Sequence, residues 1–124
     1  MNVSKENREL KKETVFETAD GKKLRLSLNI RDMMEIERDI DCSLFALMTE
    51  VGMGSTRNMT VQFTASVLRH AMPKGTTEEE VEKLIEEHCY AGGTLDGLNA
   101  VALNTIFATG MFTPGKVEEA AEEK

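Results

Sequence analysis

The sequence predicts a mainly α protein, a bundle of about five helices with an N-terminal β-hairpin. Three observations carry that reading. Leucines alternate with polar residues over Leu24, Leu26 and Leu28, behind an Asp20–Gly21 turn. Farther along, apolar residues recur at spacings of three and four in five stretches. Each stretch follows an Asn, Ser or Thr that can cap it, and glycine or proline separates the later ones.

The hairpin begins with Thr14–Thr18, a run rich in β-formers. Asp20–Gly21 is the strongest turn signal in the chain, and a two-residue turn of that type wants positive φ at both central residues. Lys22 and Lys23 lead into the leucine strand. An isolated hairpin is marginal in water, so the leucine face must rest on helices. Asn29 can then cap a helix over Arg31–Ile40, with Ile30, Met33, Ile36 or Met34, and Ile40 inward. Ser43 opens a short helix with Leu44, Leu47, Met48 and Val51 inward. The unit from Lys23 to Val51 is the one the remaining elements are expected to cover.

A small-residue connector, Gly52–Asn58, precedes a third helix over about Thr60–Ala71, capped by Asn58 or Thr60. It carries two apolar stripes. One is Val61, Thr64, Ala65, Leu68 and Met72; the other is Met59, Phe63 and Val67. A helix apolar over so much of its circumference belongs in the middle of a bundle. Pro73–Gly75 stops it. Thr77 and Glu80 form a capping-box pattern ahead of a fourth helix with Val81, Leu84, Ile85 and His88 inward and an acidic outer face. Gly92–Gly93 ends it. Thr94 caps a fifth helix with Leu95, Leu98, Ala102 and Ile106 inward, and Gly110 ends that. Val61, Leu68, Val81, Leu84 and Leu98 are the expected core. By composition, residues 1–13 read as a flexible arm, 14–113 as one helical domain and 114–124 as an acidic tail.

The chain's 124 residues suit one domain, and 40% hydrophobic with 30% charged content is globular. Its net charge of −7 argues against nucleic acid as a partner, since phosphate binding needs a basic face. No apolar run approaches the ~20 residues of a membrane helix. Residues 1–14 lack the apolar core of a secretion signal. Two unpatterned cysteines, Cys42 and Cys89, fit a reducing cytoplasm.

Chemistry-bearing patterns are weak. Asp39, Asp41, Ser43 and Glu50 imitate positions one, three, five and twelve of a calcium loop, but the obligatory glycine at position six is Leu44. His70, His88, Cys42 and Cys89 lack zinc-ligand spacing, and both histidines lie near helix ends, where a cation complements the helix dipole. Gly52–Thr56 lacks the lysine of a phosphate loop and follows a helix rather than a strand. No catalytic constellation, metal or cofactor is expected. Eight methionines suit an adaptable binding surface, although Met33 and Met72 read as core filler. The candidates for partner contact are Met53 and Met59 on the connector and Met111 and Phe112 after the last helix. All four are large apolar residues near glycines or a proline.

In order, the chain presents a glycine-turned hairpin, LRLSLNIRDMMEIERDI, a short SLFALM helix, a small-residue connector and an apolar helix ending at HAMPKG. TTEEEVEKLIEEH, a Gly–Gly pair, a last helix and an acidic tail follow. This layout resembles the tail assembly chaperones of long-tailed (siphovirus-like) bacteriophages, prophages and gene transfer agents. The likeness spans Val15 to Thr113 and is closest over Leu24–Leu47, with Leu28, Glu35, Glu37 and Leu44 in the family's pattern. It departs at Ile40–Asp41, where a glycine-like joint is expected. The resemblance implies a helper in the bacterial host cytoplasm that binds the tape-measure protein, keeps it soluble and helps recruit tail tube subunits. Such a helper, itself a possible homo-oligomer, is absent from the mature virion. The competing readings are a small acidic regulatory or antitoxin-like module and a minor structural virion protein.

Overall fold

The computed structural model describes residues 13–112. Among them are a two-stranded antiparallel hairpin, β1 (Thr14–Glu17) and β2 (Lys23–Leu26), and five helices. These are α1 (Ile30–Ile40), α2 (Leu44–Gly52), α3 (Val61–Ala71), α4 (Glu78–Tyr90) and α5 (Leu95–Ala108). The mainly α class with an N-terminal hairpin is therefore the observed one. No helix of the described residues is long and apolar enough to cross a membrane. The expected arm, apart from Glu13, and the expected acidic tail lie outside the described residues.

Local chemistry places the helix starts. Asn29 and Asp32 form a reciprocal capping box at α1, and Thr77 and Glu80 form one at α4. Ser43 and Thr94 each accept a first-turn N–H, satisfying donors that have no partner within the helix. Thr60 caps α3 by accepting the Phe63 N–H at 3.1 Å, while the Asn58 amide instead donates to Glu50 at 2.6 Å.

The hairpin turn differs from the expected one. The strands pair Glu17 with Lys23, leaving a three-residue loop, Ala19–Asp20–Gly21, inside the Thr18–Lys22 pair. Only Gly21 has positive φ (93°), and its N–H donates to the Thr18 carbonyl at 2.9 Å. This is the longer hairpin loop that needs one left-handed residue rather than two. At the α1–α2 joint the left-handed residue is Asp41 (φ 52°, ψ 48°), a conformation that glycine adopts most readily. Aspartate tolerates that region better than most side chains.

The hub of the fold is α3, not the Lys23–Val51 unit. It packs most extensively on α1 and also touches α4, α5 and β2. Phe63, Thr64, Ser66, Val67, Leu68 and Ala71 are all buried, so both of its stripes face neighbours. The buried Thr64 hydroxyl donates to the side-chain oxygen of Asn99 on α5. Leu26, Ile36, Leu44, Leu47, Leu98 and Ile106 complete the centre of the core around it.

Leu68, Val81, Leu84 and Leu98 are buried as expected, whereas Val61 is 56% exposed. Ile30 and Leu95, also expected inward, share its fate. All three are the first residues of their helices. Side chains lean toward the helix N-terminus, so a first-turn side chain projects beyond the packed face even when its angular position is correct. Leu44 escapes this because α1 lies against the start of α2, where Glu37 holds its N–H.

Candidate functional site

The hairpin tip is latched to the end of α4. The Ala19 N–H donates to His88 Nδ1 at 2.9 Å, and Lys22 pairs with Glu87 at 2.5 Å. The His88 ring is buried and stands edge-on to Phe16, with centroids 5.8 Å apart. A nitrogen that accepts an N–H carries no proton, so His88 is a structural acceptor rather than the dipole-complementing cation expected from its position.

A polar cluster joins α1 to α3. Asp39 Oδ2 accepts from the Ser66 hydroxyl at 2.8 Å and lies 3.0 Å from His70 Nε2. Glu35 lies 3.5 Å from His70 Nδ1. Burial raises the Asp39 carboxyl's pKa, but Ser66, His70 and the nearby Arg69 outweigh that and hold it below its ordinary range. The serine donates to the carboxylate, not to the imidazole. Together these bonds clamp α1 to α3 through the Asp39 carboxylate. Beside it lies a shallow polar cavity of about 120 Å³, lined by residues that include Gln62, Arg69 and Glu78.

Three of the four calcium-loop residues serve other ends, and Asp41 stands exposed at the α1–α2 joint. Asp39 belongs to that clamp, Ser43 caps α2, and Glu50 binds Asn58 with Arg57 nearby. Position six, Leu44, is buried in the core. Among the described residues no three His, Cys, Asp or Glu side chains converge on a point that could hold a metal ion.

The feature left for function is an apolar cleft of about 190 Å³ between α1, the start of α2 and the segment after α5. Ile30, Met33, Met34, Leu44, Phe45, Met111 and Phe112 line it, and Glu37 is its one ionisable side chain. Met33 and Leu44 are buried and form the floor. Phe45 (69% exposed), Met34 (58%), Ile30 and Met111 stand open at its walls. Phe45 and Phe112 meet edge-to-face at 4.9 Å, so the segment after α5 closes one side. Glu37 Oε2 accepts the Leu44 N–H at 2.8 Å, which orients the carboxylate at the α1–α2 joint.

Of the four candidate contact residues, the structure brings Met111 and Phe112 into this cleft. Met53 is 80% exposed on the connector and does not line it. Met59 packs partly against the core and does not line it either. Met33 reads as core filler in sequence and is floor as well. Met34, the alternative to Ile36 on the inward face of α1, is 58% exposed, while Ile36 is buried. Neither Met34 nor Phe45 is expected from sequence as a contact residue. Their signal was present: each is a large apolar residue off the inward stripe of its helix, as a second, unpartnered face requires.

Pockets for cofactors and small ligands usually run to ~300–1,000 Å³, so this cleft is better matched to a side chain or two of a larger partner. Compared with known proteins, the chain matches no family model, and no curated protein or solved structure is significantly similar to it.

Proposed function

We propose that this chain is a tail assembly chaperone of a long-tailed bacteriophage, prophage or gene transfer agent. In that role it binds the tape-measure protein, keeps it soluble and helps recruit tail tube subunits. It works in the bacterial host cytoplasm and leaves the particle before maturation. The observation that carries the proposal is the open cleft walled by Met34, Phe45, Met111 and Phe112 on a chain of net charge −7. A long helical client prone to aggregation needs an apolar surface that adapts to several of its segments. Methionine and phenylalanine walls provide that. The acidic outer face of α4, with Glu78, Glu79, Glu80, Glu82 and Glu86 exposed, keeps the loaded complex dissolved by mutual repulsion.

The test is co-expression with the tape-measure protein encoded beside it. The soluble fraction of the tape-measure protein should rise. Replacing Met111→Ser and Phe112→Ser together should reverse the gain at a cost of about 1–2 kcal/mol in stability, small against the ~5–15 typical of a domain. Contact that is mainly apolar should persist at ~0.5 M salt, where the Debye length is only a few Å. A tape-measure protein left insoluble by co-expression defeats the proposal.

A further inference from the structure

We infer that the cleft recognises an amphipathic helix bearing a large apolar residue with a Lys or Arg close by, the cation seating on Glu37. This deepens the docking role proposed above and rests on it for the cleft being a docking surface.

Three features lead to this occupant. The cleft is lined by α1, α2 and the segment after α5, none of which offers a strand edge. An extended ligand would therefore bring unpaired backbone groups against an apolar wall, whereas a helix satisfies its own. The volume, about 190 Å³, suits one large anchoring side chain and leaves the rest of the ligand on the rim. Charge supplies the third feature. Glu37 is the cleft's one ionisable side chain, and only its Oε2 is bonded, to the Leu44 N–H. Among the described residues Glu37 has no ion-pair partner, and its side chain is only partly exposed. A carboxylate at an apolar wall, on a chain of net charge −7, favours a positive neighbour and penalises an acidic one.

The probe is a set of three fluorescently labelled, alanine-rich helical peptides of about 25 residues, beyond the length at which isolated helices are marginal in water. They share one leucine–phenylalanine stripe and differ only in the residue four places beyond the phenylalanine: Lys, Gln or Glu. Anisotropy titration should show the Lys peptide binding the wild-type protein about tenfold more tightly than the Gln peptide, the worth of one charge-assisted hydrogen bond. The Glu peptide should bind more weakly still. Glu37→Gln keeps an oxygen for the Leu44 N–H, so the variant should stay folded, with a slightly lower melting temperature for the charge lost at the start of α2, while its Lys-to-Gln preference falls to about one. Phe45→Ser with Met34→Ser should weaken all three peptides. Equal affinities of the three for wild-type protein overturn the inference, as does an undiminished Lys preference in Glu37→Gln or no binding by any peptide. Each of these three failures leaves the chaperone proposal to its own co-expression test. Conversely, a Glu37-dependent preference beside an insoluble tape-measure protein would uphold the recognition rule and remove the chaperone role.

Discussion

Gly93 lies flat against the imidazole of His88. A Cβ built on Gly93 would stand 2.2 Å from His88 Nε2 and 2.3 Å from Cε1. The Gly93 N–H also donates to the His88 carbonyl at 2.9 Å, so neither residue can readily shift alone. The other side of the histidine's work is the hydrogen bond to Ala19, 69 residues earlier. The glycine is required here by close approach, since the backbone needs no positive φ at this position.

Gly93→Ala should therefore destabilise the domain by about 1–3 kcal/mol, the usual cost of overpacking. It should also raise the hydrogen-exchange rate of the Ala19 amide, because the imidazole must move to admit the methyl group. Urea unfolding gives the first number and exchange mass spectrometry the second. A wild-type melt with unchanged exchange would show that the ring is free to yield.

Val61 and Leu68 share one stripe of α3, yet only Leu68 is buried. Leu68→Asp should leave little folded protein, since an unpaired charge in the core costs several kcal/mol against a stability of ~5–15. Val61→Asp should change stability by no more than about 0.5 kcal/mol, as surface substitutions do. Thermal melts of the two variants side by side decide the matter; equal damage would mean that α3 begins inside the core after all.

Asp39 gives the fold a sensitivity to acid. Burial alone would raise its pKa, but the Ser66 hydroxyl, His70 and Arg69 bring it below 3.8 in the folded state. The unfolded chain therefore takes up this proton first as pH falls. The stabilisation is complete above the unfolded value of about 3.8 and is lost as pH drops through the lower folded value. Asp39→Asn should cost about 1–3 kcal/mol at pH 7, the worth of its charge-assisted hydrogen bonds. The gap between variant and wild type should narrow below pH 3.8. Urea titrations at pH 7, 4 and 3 would reveal it, and a gap independent of pH would assign the loss to packing.

The left-handed backbone at Asp41 makes a directional prediction. Asp41→Gly should be neutral or slightly stabilising, because relief of the left-handed conformation offsets the added freedom of the unfolded chain. Asp41→Val should cost about 1–2 kcal/mol, since a β-branched side chain collides with its own backbone there. Loss of stability in the glycine variant would point instead to a contact made by the aspartate side chain.

Calcium should not bind at Asp39–Glu50, because Leu44 occupies the turn position in the core and the Asp39 and Glu50 carboxylates have other partners. Melting temperatures with a chelator and with millimolar calcium should coincide. A rise of several degrees on adding calcium would overturn this.

What the sequence determined by itself is whatever depends on residues three or four apart. Asn29, Ser43, Thr60, Thr77 and Thr94 each cap a helix by bonding a backbone N–H three residues on. The stripes of Leu68, Val81, Leu84 and Leu98 could be drawn from spacing alone. Tertiary structure decided what depends on which elements meet. It made α3 the hub and left Val61, Ile30 and Leu95 past the edge of their packed faces. It used His88 as an acceptor for a hairpin loop far away in the chain. It also made the cleft, for Phe45 and Phe112 touch only because α5 delivers the end of the described chain back to the α1–α2 joint. Periodicity tells which side of a helix is apolar. It does not tell whether that side meets a neighbour or solvent, and that difference separates core Met33 from exposed Met34.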